Sequence, residues 1–405
     1  MARALEGIRV LDLTLWQQGP YASAMLADMG ADVIKIEAPD SPDPGRGFLF
    51  RRDVGLSAYM ESHNRGKRSL ALNLKHPAGK DVFLRLIKGA DVFLHNLRGG
   101  AVERLGLDYQ AVSKVNPAII YAHASAWGAT GPDVNLGSFD ILAQARGGIM
   151  MLNREPGGAP LPVPVPIADQ VGAMVAAYAI TVALLHRERT GEGQELNVSL
   201  LGTQLALQSF NITSYLLTGR LPVRQPRGGF GPLWNVYKGG DGKYFALAML
   251  EQRWWKGVCE TIGEPELESD PRFDTTAKRF QNGQELIAHL DEVFARKPAS
   301  EWVRRFQEHN LMIAPVQDYE DLVNDPQVIA NGYIQEVERP GHEPVRMVGV
   351  PVKFSKTPGE IRRLAPALGE HSHEVLLECG LSQDEIDQLE REDVIRQAQP
   401  GADQA

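Results

Sequence analysis

Ile8-Arg-Val-Leu-Asp-Leu13, the loop Thr14-Leu-Trp-Gln-Gln-Gly19 and, after a helix-like stretch, Val33-Ile-Lys-Ile-Glu37 decide how the chain is read. The outer segments are short apolar runs of strand length. The stretch between them opens at Pro20 and closes near Gly30, as a helix does. Strand, helix, strand is a βαβ unit, whose strands lie parallel in one sheet. The pattern repeats outward as strand Leu70-Ala-Leu-Asn-Leu74, helix Pro77 to Lys88, strand Val92-Phe-Leu-His95, a short helix pair to Val115, and strand Ile119-Ile-Tyr-Ala122. The expected architecture is a parallel sheet covered by helices, with ligands outside the carboxyl ends of its strands.

Farther along, Leu161-Pro-Val-Pro-Val-Pro-Ile-Ala-Asp169 leads into a long apolar helix over Gln170 to Arg189, then strand Glu195 to Ser199 and helix Leu200 to Leu217. Residues 219–242 hold seven Gly and three Pro and read as a long irregular loop. Loops of that length are functional or are linkers, so a domain boundary falls there. The expected division is a large domain over 1–218, a glycine-rich loop over 219–234, a small α/β domain over 235–325, and a C-terminal segment over 326–405. Within the small domain the pattern gives strand Tyr244 to Met249 and helices Arg253 to Ile262, Gln284 to Ala295 and Ser300 to His309. The last segment holds a helix region around Leu368 to Gly380 and a polar tail from Gln397 to Ala405.

With 405 residues, 43% hydrophobic and 23% charged, the chain has the balance of a globular protein of two or three domains. A net charge of −9 argues against nucleic acid as the main partner. The two cysteines, Cys259 and Cys379, have no Cys or His at zinc spacing, so no disulfide framework or structural metal is expected and a cytoplasmic location fits. Val171 to Leu185 is too short to span a bilayer and reads as a buried helix. The first βα turn lacks G-x-G-x-x-G, which disfavours a dinucleotide cofactor despite Glu37. No P-loop, nucleophile elbow or H-E-x-x-H occurs. His371 and His373 read as surface helix residues rather than metal ligands.

Asp169 is the central candidate. Asp is among the best N-cap residues, so a cap is one reading; a nucleophile at the mouth of a site is the other. Around it, Leu5-Glu-Gly-Ile-Arg-Val-Leu-Asp-Leu13, Gln17-x-Gly-Pro20, Leu26-Ala-Asp-Met-Gly-Ala-Asp-Val-Ile-Lys-Ile-Glu37, Asn64-Arg-Gly-Lys-Arg-Ser69, Leu72-Asn-Leu-Lys75, Ala90-Asp-Val-Phe-Leu-His-Asn96 and Leu368-Gly-Glu-His371 together resemble the class III CoA-transferase family, of CaiB/BaiF type and formyl-CoA transferase-like. The resemblance spans nearly the whole chain. It implies a Rossmann-like large domain completed by the C-terminal segment, a small domain, and two chains interlocked into a dimer, with a heteromer as the other arrangement.

It also implies a role for each candidate residue. Asp169 becomes the nucleophile, kept ionised by the helix dipole. The implied cycle passes through an aspartyl mixed anhydride and an aspartyl-CoA thioester, with acyl-CoA and carboxylic acids as substrates and no metal, ATP or redox cofactor. Gln17 matches a position that donates an amide hydrogen bond, and Asp140 an acidic position beside the nucleophile. Gly228 and Gly229, in Gly228-Gly-Phe-Gly231, fall where relatives carry a mobile lid whose backbone N–H groups can bind a carboxylate; a flexible linker is the other reading. CoA contacts carry over to Lys75, Asn96, Ala101 and Arg104, with Arg46, Arg65, Lys67 and Arg68 as weaker candidates. Ala38 and Gly137 depart from basic residues of some relatives.

Two alternatives stay open. Racemases of the same family move an α-proton with a His and an Asp, but Gly137-Ser-Phe-Asp-Ile-Leu-Ala-Gln144 offers Phe139 and no imidazole; His123 is the nearest substitute base. A non-catalytic subunit of a heteromer is the second, against which Asp169 speaks. Trp127, Trp234, Tyr237 and Met249 are candidates for an acyl pocket, and Arg224 or Arg227 for a second carboxylate. Succinyl-CoA is the expected donor by resemblance alone.

Overall fold

A computed structural model describes residues 3–339 and 342–398, so the tail beyond Ala398 lies outside the described residues. The chain divides into two units, one of Met1–Asn153, Ala159–Pro222 and Ala330–Ala405, the other of Arg154–Gly158 and Val223–Ile329.

In the larger unit β1 (Arg9–Leu13), α1 (Gln18–Asp28) and β2 (Asp32–Glu37) form the expected βαβ start. A hairpin of β3 (Phe50–Arg51) and β4 (Leu56–Ser57) and the helix α2 (Ala58–Asn64) lead to β5 (Arg68–Leu72). Then come α3 (Pro77–Lys88), β6 (Val92–His95), α4 (Ala101–Leu105), α5 (Tyr109–Val115) and β7 (Ile120–Ser125). The short α6 (Asp140–Arg146) and α7 (Ile149–Leu152) precede the long α8 (Ile167–Thr190), followed by β8 (Gln194–Ser199), α9 (Leu200–Leu207) and α10 (Ser209–Thr218).

The central sheet has seven strands in the order β14-β5-β2-β1-β6-β7-β8, where β14 (Ile395–Arg396) pairs antiparallel with β5 and the other neighbours are parallel. The strand order reverses between β1 and β6. A crevice at such a switch point is where open α/β sheets bind ligands, and the loops leaving β1 and β6 line it.

Side chains alternate across the sheet with period two. Leu11, Phe93 and Tyr121 face a core closed by Phe83 and Ile87 of α3 and by Val375 and Leu376 of the returning α17 (Ser372–Glu378). Val10, Val92 and Ile120 face the other core, closed by Ala22 and Leu26 of α1 and by Ala176 and Ile180 of α8. The sheet is therefore buried on both sides, as a parallel sheet requires.

The smaller unit carries the antiparallel sheet β11-β10-β9, made of β9 (Trp234–Lys238), β10 (Tyr244–Ala248) and β11 (Ile313–Pro315). Its core joins Tyr237 and Phe245 to Trp255 of α11 (Trp255–Ile262), Phe294 of α13 (Gly283–Phe294) and Trp302 of α14 (Ala299–Glu308).

Four expectations need correction. The strand expected at Leu70–Leu74 sits two residues earlier, because Asn73 turns the chain and its N–H bonds Val394 O at 2.8 Å. The single helix expected from Leu200 breaks at Gln208, whose Nε2 donates to Gly147 O and Gln204 O. Part of the irregular loop is strand β9, zipped onto β10. The buried helix of Val171–Leu185 belongs to α8, the one helix among the described residues long and apolar enough to cross a membrane. It packs only one face on the sheet and leaves Met174, Tyr178, Val182 and Leu185 exposed.

The crossing of α1 and α8 rests on Gly172, where a Cβ would stand 2.9 Å from Gln18 Nε2 and 3.2 Å from Leu200 Cδ2. Replacing it with a branched residue must displace the Gln18 side chain, and with it the Gln18 bond to Val198 O, or widen the crossing. We expect Gly172→Val to lower stability by about 1–3 kcal/mol in urea unfolding.

Candidate active site

Asp169 is not the cap of its helix. It is the third residue of α8, after Ile167 and Ala168, and the residue before the helix, Pro166, makes no side-chain cap. The orphan donors of this helix start are met by Asp140, which begins α6. Its Oδ1 accepts from Ala168 N at 2.7 Å and from Asp169 N at 3.2 Å. Asp140 Oδ2 accepts from Gln144 Nε2 at 2.6 Å, one helical turn on. Gln144 in turn receives Val163 N at 2.9 Å and so ties the Pro-punctuated run to α6. The cap comes from 29 residues away in sequence, and the Asp169 side chain makes none of these capping bonds.

Asp169 is half-buried. Burial, and then the facing Asp140 carboxylate, push its carboxyl up to about 7. The helix dipole favours the ionised form, and burial and Asp140 oppose it, so near neutral pH the group stands between its two states.

The loop after β1 is built to stay where it is. Trp16 has φ +61°, a left-handed conformation unusual for a bulky residue. It is held from below by Asp43, whose Oδ1 accepts from Trp16 N at 3.0 Å. From the side, Asn96 donates to Leu15 O at 2.7 Å and accepts from Leu15 N at 2.9 Å. Above, the indole meets Phe48, Tyr59 and Phe139 edge to face at 6.1–6.3 Å. Gln17 follows, buried, with an Nε2 that has no hydrogen-bond partner. A buried amide donor without a partner is costly, and a group that bound beside it would relieve that cost. Gln18 beside it packs on Gly172, one turn along α8 from Asp169.

Tyr59 and Trp16 went unassigned in the sequence. Tyr59 is half-buried, and its phenol is raised far above its usual pKa, first by burial and then by the charges of Asp169 and Asp43. Nothing in the local pattern of α2 announces that proximity.

Under the loop lies a set of buried ions. Lys67 bonds Asp12 Oδ2 at 2.8 Å, Asn64 Oδ1 at 2.7 Å and Pro20 O at 2.9 Å. Lys35 bonds Asp43 Oδ2 and Thr14 O, each at 2.9 Å. Burial alone would raise the Asp12 carboxyl, but Lys67 and Lys35 outweigh it and the net shift is downward. These contacts correct the weaker CoA candidates. Lys67 is spent on Asp12, Arg46 on Glu37 and Pro366 O, Arg65 on Asp28, and Arg68 on Asp32, Glu374 and Glu378. They are struts of the fold rather than solvated groups.

The remaining CoA candidates lie at the carboxyl edge of the sheet. Lys75 and Arg104 are exposed, Ala101 opens α4, and the Asn96 amide holds Leu15 with its Oδ1 and one of its two N–H groups. Gly137 has a local reason: a side chain there would collide with the Arg98 guanidinium, 2.2 Å from the Cβ position.

In the smaller unit Gly228 packs on Ile287 with φ +81°, and the N–H groups of Gly229 and Gly231 bond Pro226 O and Gly228 O in consecutive turns. Those two N–H groups are therefore not the open donors expected. Arg224 pairs with Glu155, and Arg227 with Asp291, so neither is free for a second carboxylate. Tyr237 and Met249 are core, Trp234 is exposed, and Trp127 is stacked under Arg146 at 4.8 Å. His371 accepts from Ser69 N, and His373 meets Glu390; no metal-holding cluster occurs among the described residues.

A mostly parallel sheet with a switch point between β1 and β6 defines an α/β protein, and comparison narrows the class. The model of CoA-transferase family III matches residues 5–372. The chain is 34% identical to a formyl-CoA:oxalate CoA-transferase of Streptomyces avermitilis, over 98% of this chain and 100% of that one. It is 34% identical to a succinate–glutarate CoA-transferase of Agrobacterium fabrum, over 92% and 95%. A solved CaiB/BaiF family protein of Brucella suis superposes with TM-score 0.83 at 29% identity, covering 94% of this chain and 100% of that one. The chain belongs to CoA-transferase family III.

The raised carboxyl has a measurable consequence. Between an ordinary 3.8 and about 7 the folded protein holds more protons on Asp169 than the unfolded chain, so this residue costs stability as pH rises through that window. Asp169→Asn should be more stable than the wild type at pH 8 in urea unfolding, and the gain should vanish as the pH approaches 4.

Proposed function

We propose that Asp169 carries CoA from an acyl-CoA donor to a carboxylic acid acceptor. The observation behind this reading is a carboxylate in the first turn of α8 that is relieved of capping by Asp140, on the helix whose Gly172 packs against Gln18, the neighbour of Gln17. One Asp169 oxygen attacks the thioester carbonyl carbon, the C–S bond breaks, and CoA thiolate leaves behind a mixed anhydride. The thiolate then attacks the aspartyl carbonyl, releasing the donor acid and leaving an aspartyl-CoA thioester. The acceptor carboxylate displaces CoA from the aspartyl group, and CoA thiolate takes the acceptor acyl group, restoring Asp169. Charge is conserved throughout, and no step needs a metal, ATP or redox cofactor.

Each tetrahedral step places negative charge on an oxygen. Gln17 Nε2 is the donor we assign to it, a preorganised contact of the kind that contributes most to acyl transfer. CoA is assigned to the loop ends at Lys75, Asn96, Ala101 and Arg104. Succinyl-CoA is the donor we favour, since relatives are named for succinyl and formyl transfers. We further propose an interlocked dimer, supported by the apolar side chains left bare on α8 and α10, among them Tyr178 at 69%, Phe210 at 82% and Leu217 at 81% exposure. The two free cysteines suit a reducing cytoplasm.

Incubation with acyl-CoA followed by hydroxylamine should modify Asp169 and no other carboxylate, read by peptide mass spectrometry. Asp169→Asn should lose that adduct and on the order of a thousandfold or more in transfer rate. Hydrogen exchange at the substrate α-carbon without acyl exchange would favour a racemase instead. Because the attacking carboxylate must be ionised and sits at about 7, kcat/KM should rise with pH through that value. Asp140→Asn removes the facing charge, so its inflection should move to lower pH.

A further inference from the structure

Asp169 stands in the first turn of α8, where unpaired N–H groups ordinarily draw a carboxylate in. Four donors open this helix, and each has an acceptor other than Asp169. Ile167 N bonds Val165 O at 2.7 Å, and Gln170 N bonds Pro166 O at 3.0 Å. Ala168 N and Asp169 N both go to Asp140 Oδ1, at 2.7 and 3.2 Å. The freedom of Asp169 therefore depends on where the Asp140 carboxylate points, and its second oxygen is held by Gln144 Nε2 at 2.6 Å.

Gln144 is 1% exposed, and both ends of its amide are used. Besides Asp140, Nε2 faces Val163 O at 3.4 Å and Val165 O at 3.3 Å, while Oε1 accepts from Val163 N at 2.9 Å. These bonds fix the polarity of the amide: with Oε1 committed to an N–H, the NH2 group is the end that meets Asp140. The residues Gln144 grips, Val163 and Val165, belong to the run that feeds α8. One buried amide thus sets both the Asp140 carboxylate and the chain that enters the helix.

We infer that Gln144 is a positioning residue for acyl transfer: its amide holds Asp140 in the orientation that caps α8 and thereby keeps Asp169 from capping its own helix. This rests on the role of Asp169 proposed above. Without the amide, Asp140 loses the bond that sets its plane, and the Ala168 and Asp169 N–H groups are released. The Asp169 carboxylate is then the acceptor nearest to them along the chain. A carboxylate engaged by backbone N–H groups is a stronger acid and a weaker nucleophile. Gln144 itself touches no reacting atom and moves no proton. The titratable groups that bear on Asp169 are Asp140 of α6 and Tyr59 of α2.

The test combines steady-state kinetics, at a pH well above 7 so that Asp169 is ionised throughout, with carbon-13 NMR titration of the Asp169 carboxyl in protein without substrate. Gln144→Met keeps the side-chain volume and removes the amide. We expect kcat to fall by about ten- to a hundredfold, the factor that goes with one hydrogen bond to a charged group, with KM for acyl-CoA and for the acid little changed. The Asp169 midpoint should move below its value of about 7.

A polarity swap separates positioning from a simple strut. In Asp140→Asn an NH2 replaces an oxygen, so the amides cannot serve Val163, α8 and each other at once. In Gln144→Glu two carboxylates meet. The double variant Asp140→Asn/Gln144→Glu again sets a donor opposite an acceptor, with the new amide at 140 donating to the new carboxylate at 144, and should recover most of the rate that either single substitution loses.

A Gln144→Met protein with wild-type kcat and an unmoved Asp169 midpoint would overturn the inference, as would a double variant no faster than the slower single. If Gln144→Met does not fold, the swap decides alone. A wild type that exchanges no thioester would count against the transferase mechanism, while the titration, made without substrate, would still decide whether Gln144 keeps Asp169 free.

Discussion

A carboxylate at the start of a helix is ordinarily consumed by the helix. The unpaired N–H groups of the first turn attract it, and once it caps them its oxygens are no longer available for chemistry. Here the conflict is resolved by dividing the work between two acids: Asp140 takes the Ala168 and Asp169 amides, and Asp169 stands in the first turn without capping it. The same arrangement brings a second negative charge close, which together with burial moves the Asp169 carboxyl into the neutral range. Burial is the larger part of that shift, and the charge of the capping Asp140 adds to it.

The facing wall depends on a different kind of rigidity. Trp16 adopts a backbone conformation that a bulky residue avoids, and such a geometry persists only where its surroundings over-determine it. Asp43 from below, Asn96 from the side and a ring of aromatic edges supply that. Asp43 is itself held by Lys35, and the neighbouring Lys67–Asp12 pair is fully buried. Buried pairs are expensive to assemble and more expensive to break, so they add little net stability but fix one arrangement firmly. In this protein what they fix is the turn that presents Gln17.

Much of this was legible in the order of residues. The short apolar runs at Ile8–Leu13, Val33–Glu37 and Val92–His95, alternating with helical stretches, pointed to the parallel sheet, and the family resemblance singled out Asp169, Asp140 and Gln17. The cations misled. Arg46, Arg65, Lys67 and Arg68 look like solvent-facing or phosphate-binding groups in a linear text, because their carboxylate partners Glu37, Asp28, Asp12 and Glu378 lie 9 to 310 positions away. Tyr59 was passed over for the same reason, since the Asp169 and Asp43 charges that act on it lie far away in sequence, and so was the tie of Gln144 to Val163.

By itself the sequence determined the alternation of strand and helix, the family, and which carboxylate to suspect, since each depends on local periodicity or on short runs of residues. Only the tertiary structure decided which acid caps α8, which cations are spent inside the fold, and that His95 stacks on His123 across the β6–β7 pairing. Those outcomes depend on which groups meet across the sheet and how much water they lose on meeting. Both quantities come into being when distant segments pack, and no window of the chain contains them.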